Sequence, residues 1–138
     1  MMTDVAVTFA VSLLALLTAH HVADHWVQTS CQAAGKAQRN WYGVWCCAKH
    51  VAGYTLTTAA LVALVWGVFG LAISLVGFVT GQLISAITHY WADRRYTLAW
   101  LARVLGKAGY YDHGGSFELD QSFHRFWLFV AALVTALV

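Results

Sequence analysis

Between His50 and His89 the chain runs for 38 residues without one Lys, Arg, Asp, Glu or His. At about 1.5 Å of rise per residue this makes roughly 57 Å of helix, close to two hydrocarbon thicknesses of about 30 Å each. A second stretch, the nineteen residues between Asp4 and Asp24, has no Lys, Arg, Asp or Glu, and its only histidines are His20 and His21 near its end. Charge is scarce throughout. Eight basic and six acidic side chains make 10% of 138 residues, and 60% are apolar, whereas soluble domains average about 25% charged and 45–50% apolar. So few charges cannot cover a soluble surface of this size without large apolar patches. Disorder needs the opposite composition, and a net charge of +2 is too small to argue for nucleic acid. The chain reads as an integral membrane protein, with lipid as its solvent.

Trp66-Gly67-Val68-Phe69-Gly70 divides the long stretch, since two glycines beside aromatic residues suit a tight hairpin at an interface. The last uncharged run, residues 126–138, is only thirteen residues long and needs 121–125 to cross. The expected fold is all-α: one domain over 1–138, a bundle of four transmembrane helices at about 4–28, 44–66, 71–94 and 120–138. Residues 96–108 place Trp100, Leu101, Val104 and Leu105 on one side and Arg103 and Lys107 on another, as in a short interfacial helix. Residues 29–43 and 110–116 read as loops. The first span lacks the basic start of a cleaved signal peptide.

All eight basic residues fall on one side of this topology: Lys36, Arg39, Lys49, Arg94, Arg95, Arg103, Lys107 and Arg125. By the positive-inside rule both termini are then outside and both long loops cytoplasmic, in a bacterial inner (plasma) membrane.

The polar residues converge at one depth. His20, Asp24 and Gln28 are spaced i, i+4, i+8 at the cytoplasmic end of helix one. His50 begins helix two, His89 and Asp93 repeat the i, i+4 pair, and Asp120, Gln121 and His124 open helix four. Ionisable groups at membrane depth are costly and face the bundle interior. Imidazole with carboxylate is the ligand set of zinc, manganese or iron, so the candidate ligands are His20, Asp24, His50, His89, Asp93, Asp120 and His124. Seven exceed the needs of one ion, which leaves room for a second ion or for residues that orient ligands. Asp24, Asp93 and Asp120 are the candidate general bases. Gln28, Lys36, Lys49 and Gln121 are candidates to hold a water or an anionic substrate group.

Plainer readings compete. A lone HxxxD pair is more often a structural hydrogen bond, and Asp120 suits a helix N-cap. Asp24 and Asp93 lie near helix C-termini, where an anion is disfavoured; Arg94 and Arg95 are available to compensate Asp93. His21 and His25 lie on a neighbouring stripe, and Asp112-His113 sit in a glycine-rich loop. Cys31, Cys46 and Cys47 sit on the reducing side; Cys46, four before His50, has the spacing of a thiolate ligand, against which small apolar packing is its expected role. Gly53, Gly77 and Gly81 permit close helix contacts, within the chain or in a homo-oligomer.

The motifs H-x3-D-x3-Q, H-x3-D and D-Q-x2-H, with Lys36 and His50, resemble those of a family of bacterial and phage membrane proteins of unknown function. The match covers nearly the whole chain; His25-Trp26 departs from it where that family has an aromatic residue directly after the first Asp. The layout is similar, more loosely, to membrane-bound metal-dependent hydrolases, which implies a reaction class by analogy. The expected function is a membrane metalloprotein with one or two divalent ions, acting as a hydrolase on a lipid or lipid-linked substrate. The alternatives are proton or metal-ion transport, haem binding, and a phage-type structural or interaction role. An outer half without acids or bases argues against transport.

Overall fold

The computed structural model describes residues 2–138, with side chains from residue 4 onward, and among these the chain is entirely helical and connecting turns. Four long helices form the body: α1 (Met2–Val22), α3 (Trp41–Phe69), α4 (Leu75–Asp93) and α7 (Ser116–Leu137). Shorter helices join them: α2 (Ser30–Gly35), α5 (Tyr96–Val104) and α6 (Ala108–Tyr110). Contacts of α1 with α3, α3 with α4, α4 with α7 and α7 with α1 close a four-membered ring.

Local chemistry sets the ends. Asn40 and Ser74 each accept a hydrogen bond from a backbone N–H three residues on, Gly43 and Gly77, both at 2.8 Å, the usual N-cap arrangement. Thr29 and Gln32 form a reciprocal capping box that starts α2. Gly70 closes α3 in the left-handed region, at φ 60°, which glycine adopts without a Cβ clash.

Several boundaries differ from expectation. The hairpin falls at 70–74 rather than 66–70, because α3 continues to Phe69 before Gly70 can reverse it. The first loop contains α2, which the capping box nucleates. Residues 111–115 hold a kink, with His113 and Gly114 (φ 104°) in non-helical conformations where a loop was expected, but α7 already begins at Ser116, so Asp120 lies inside it rather than at its cap. The interfacial helix ends at Val104 and docks through Leu98 and Ala102. Trp100, Val104 and Leu105 face outward.

The bundle is polar within and apolar without. Thr8, Ser12, His20, His50, Thr58, Gln82, Ser85, His89, Gln121, His124 and Thr135 are buried, while Leu14, Leu56, Leu64, Leu75, Leu83, Ile87, Phe129 and Leu137 are exposed. Two helices, Asp4–Val27 and Trp41–Phe69, are long and apolar enough to cross a membrane. The helices α4 and α7 fall outside that class, since they carry Gln82, His89 and Asp93, and Gln121 and His124, on their buried faces.

A packed apolar cluster of Leu16, Val62, Leu71, Ile73, Leu128 and Ala131 fills the end of the bundle near the Gly70 turn. The α4–α7 contact is close because Gly77 and Gly81 present no side chain there. A Cβ on Gly81 would meet Thr135 Oγ1 and, at 3.0 Å, the Ala131 carbonyl. Gly81→Leu therefore forces the helices apart and is expected to cost about 1–3 kcal/mol, seen as a lower melting temperature in detergent; an unchanged melt would contradict this packing.

Cys31 is exposed, its Sγ 3.0 Å from Tyr42 Oη, while Cys46 and Cys47 are buried. A polar maleimide should modify one cysteine of three in the folded protein and all three after denaturation, as counted by intact mass.

Candidate metal centre

Four helices deliver the seven candidate ligands to one layer. His20 ends α1 and Asp24 lies in the π-helical turn Ala23–Val27 that continues it; such turns recur at functional sites. His50 comes from α3, His89 and Asp93 from α4, and Asp120 and His124 from α7. His20, His50, His89, Asp93 and His124 are all buried.

At the centre His50 Nε2 lies 3.0 Å from His89 Nε2, 3.3 Å from Asp24 Oδ1 and 3.0 Å from Asp93 Oδ2. His89 Nε2 lies 3.4 Å from Asp24 Oδ1 and 3.2 Å from Asp93 Oδ2. Ligand bonds of about 2.0 Å to a tetrahedral ion place ligand atoms about 3.3 Å apart, and the spacings of His50 and His89 to each other and to Asp24 Oδ1 have that length. One contact, between the two imidazoles, has the length of a hydrogen bond, while Asp24 Oδ1 and Asp93 Oδ2 are buried and accept no aligned hydrogen bond. Leaving such atoms unpaired costs about 1–3 kcal/mol each.

A second group adjoins the first. His20, His89 and His124 bring one nitrogen each, and Asp93, Asp120 and His124 one ligand atom each, within 4.8 Å of one another. Both ring nitrogens of His20 and Nε2 of His124 are buried without a partner. Asp93 links the two groups, with Oδ2 toward His50 and His89 and Oδ1 3.9 Å from His124 Nε2. The chain thus holds buried His and Asp groups positioned to bind a metal ion.

The other predicted residues divide. Lys36 is buried, with Nζ 2.9 Å from Asp93 Oδ1. Lys36, rather than Arg94 or Arg95, is therefore the cation that compensates Asp93; Arg94 turns away and donates to the Gln38 carbonyl at 2.7 Å. Gln121 is buried and donates to Asp120 Oδ2 at 3.2 Å. Gln28 leaves the helical stripe, because its backbone is extended, and its buried Nε2 has no partner. Lys49 does not belong to the layer: it is exposed, with Nζ 5.4 Å from the Trp45 ring centroid. One position before His50, it sits about 100° around α3 and cannot share that face. His21 and His25 are exposed and stack on each other. Asp112 and His113 are exposed, and His113 Nδ1 is 2.7 Å from the Gly109 carbonyl.

Tyr54 was not among the predicted residues. It is buried, its ring stacks on His89 at 3.8 Å between centroids, and its hydroxyl lies 2.6 Å from Ser85 Oγ. Thr58 donates to Gln82 Oε1 at 2.7 Å one turn further along. The signal was present in the spacing, since His50, Tyr54 and Thr58 repeat at i, i+4, i+8.

One cavity reaches the layer from outside. It holds about 250 Å3 between Lys36, Asp93, Arg95, Tyr111, Ser116 and Asp120. Asp120, 24% exposed against 4% for Asp93, is the ligand candidate nearest its mouth. No family model, curated protein or solved structure matches the chain.

Tyr54→Phe should lower stability by about 1–2 kcal/mol, because it strands the buried Ser85 hydroxyl, while leaving metal content unchanged. A thermal melt and elemental analysis of the same sample check both halves.

Proposed function

We propose that this chain is an integral membrane metalloprotein with its metal centre at the cytoplasmic boundary of the bilayer, and that it hydrolyses an ester or phosphoester of a lipid or lipid-linked substrate. The observation that carries the metal is the group of ligand atoms from Asp24, His50 and His89, 3.0–3.4 Å apart, with Asp93 Oδ2 3.0 and 3.2 Å from the two imidazoles and both carboxylate oxygens buried without an aligned hydrogen bond. The membrane reading rests on the outward leucines and phenylalanines of all four long helices and on basic residues confined to one end. By this reading α4 and α7 also span, their inward polar faces being shielded from lipid by the bundle.

Asp24, His50, His89 and Asp93 would hold the ion, with His20 and His124 available to a second, and a zinc, manganese or iron ion there would supply Lewis acidity. Asp120, at the mouth of the cavity, is placed to take the proton from the attacking water. Arg95 in the cavity wall meets an anionic substrate group, while Lys36 pairs with Asp93 and fixes its position. The looser resemblance to membrane metal-dependent hydrolases supports the reaction class.

Two alternatives fit less well. Haem ligation by a histidine pair needs a macrocycle between the rings, and His50 and His89 approach to 3.0 Å. Transport of protons or metal ions needs acids or bases along the path, and the buried polar side chains of the far half, Thr8, Ser12 and Thr135, are none of them ionisable.

Protein purified without chelator should carry one or two divalent ions per chain by elemental analysis. Asp93→Ala and His89→Ala should each lower occupancy at least about tenfold, and His113→Ala should leave it unchanged. Absence of metal from the parental protein would overturn the reading. Asp120→Asn should keep the metal and lose hydrolysis of lipid phosphoesters.

A further inference from the structure

On the flank of α4 away from the metal layer lies a larger cavity, of about 750 Å3, between the start of α3 and the α4–α5 corner. Its polar wall comes from Arg39, Asn40 and Arg94, and its apolar wall is dominated by Trp41, Trp91 and Trp100. Among the described residues no acidic side chain lines it. Arg94 is 4% exposed, and beyond the bond to Gln38 its Nε and Nη1 have no acceptor. The guanidinium carbons of Arg39 and Arg94 lie 4.7 and 5.4 Å from the centroid of the same ring, Tyr96. Two cations thus share one aromatic ring, and among the described residues neither is paired with a carboxylate. A buried guanidinium with idle donors is costly until an anion arrives. Its planar fork matches the oxygens of a phosphate.

We propose that this cavity binds the headgroup phosphate of an anionic membrane phospholipid. Arg94 and Arg39 hold the phosphate, and Trp41, Trp91 and Trp100 flank the glycerol and the first acyl carbons. Trp41 and Trp100 are 85% and 59% exposed, as tryptophans are where they sit among lipid headgroups. A zwitterionic headgroup fits less well, because no carboxylate meets its ammonium and the Tyr96 face is already taken by guanidinium. A free phosphate ion would leave the tryptophan wall without a partner. The site is separate from the metal centre; it rests on the membrane reading and not on the metal.

The test begins with membrane fractionation, which checks the membrane reading by itself. Detergent-purified protein is then incubated with mixed micelles of phosphatidylglycerol or phosphatidylcholine, and retained lipid is counted by native mass spectrometry. The parental protein should retain phosphatidylglycerol in preference to phosphatidylcholine. Arg94→Gln and Arg39→Gln should each reduce that retention roughly fivefold or more, and the exposed Arg103→Gln should not. Circular dichroism reports whether Arg94→Gln folds; if it does not, Arg39→Gln and Trp100→Ala decide. Equal retention of the two lipids, or full retention by Arg39→Gln and Trp100→Ala, would overturn the site. Displacement of the lipid by millimolar inorganic phosphate would assign the cavity to a soluble oxyanion and overturn the lipid. Recovery of the parental protein in the soluble fraction would overturn the membrane reading and this site together.

Discussion

Asp93 is the residue on which the rest of the bundle is built. Its carboxylate is buried and meets Lys36 from the α2 end, His50 from α3, its own helix neighbour His89, and His124 from α7. Burying a carboxylate costs several kcal/mol unless partners surround it, so every element that touches Asp93 is held to one position. Lys36 has to be brought inward, which gives the capped helix α2 and the turn after it a structural purpose. The polar layer is therefore the constraint that sets where four helices meet.

The remaining packing accommodates that layer. Below it Tyr54 with Ser85 and Thr58 with Gln82 satisfy each other across α3 and α4, and beyond them the interior turns apolar around Leu16, Val62 and Leu128. Gly77 and Gly81 let α4 and α7 approach closely, with no side chain between the helices. The outward faces carry leucine, isoleucine and phenylalanine. Such a molecule inverts the soluble pattern, with side-chain hydrogen bonds inside and hydrocarbon outside. On the proposed reading its two functional surfaces lie at the same cytoplasmic level, a metal centre within the bundle and a lipid-phosphate cavity on its flank.

Much of the site was legible because helical spacing is simple. His20 and Asp24, His89 and Asp93, and Asp120 and His124 are each four apart, and the absence of other charge left few competing candidates. Lys49 was assigned by depth alone, which does not say which face of a helix a side chain occupies; the adjacent His50 faces in and Lys49 faces out. Tyr54, Ser85 and Gln82 escaped because neutral polar residues are common in helices and carry no charge to mark them. The π-helical turn Ala23–Val27 and the helical start at Ser116 escaped because nothing in local composition distinguishes them from an ordinary turn and a loop.

Composition and spacing alone determined an all-helical chain of long apolar segments whose ionisable residues gather at one end. Periodicity is a property of one helix at a time, and so it reaches no further. Tertiary structure decided which side chains share a point: that two imidazoles stand 3.0 Å from each other and 3.0–3.4 Å from two carboxylates, that Lys36 rather than Arg94 answers Asp93, and that Arg94, with unpaired donors, lines a tryptophan-walled cavity. The physical reason is that rotation and depth of one helix against another are set by the burial of polar groups from all four together, and no single segment contains that information.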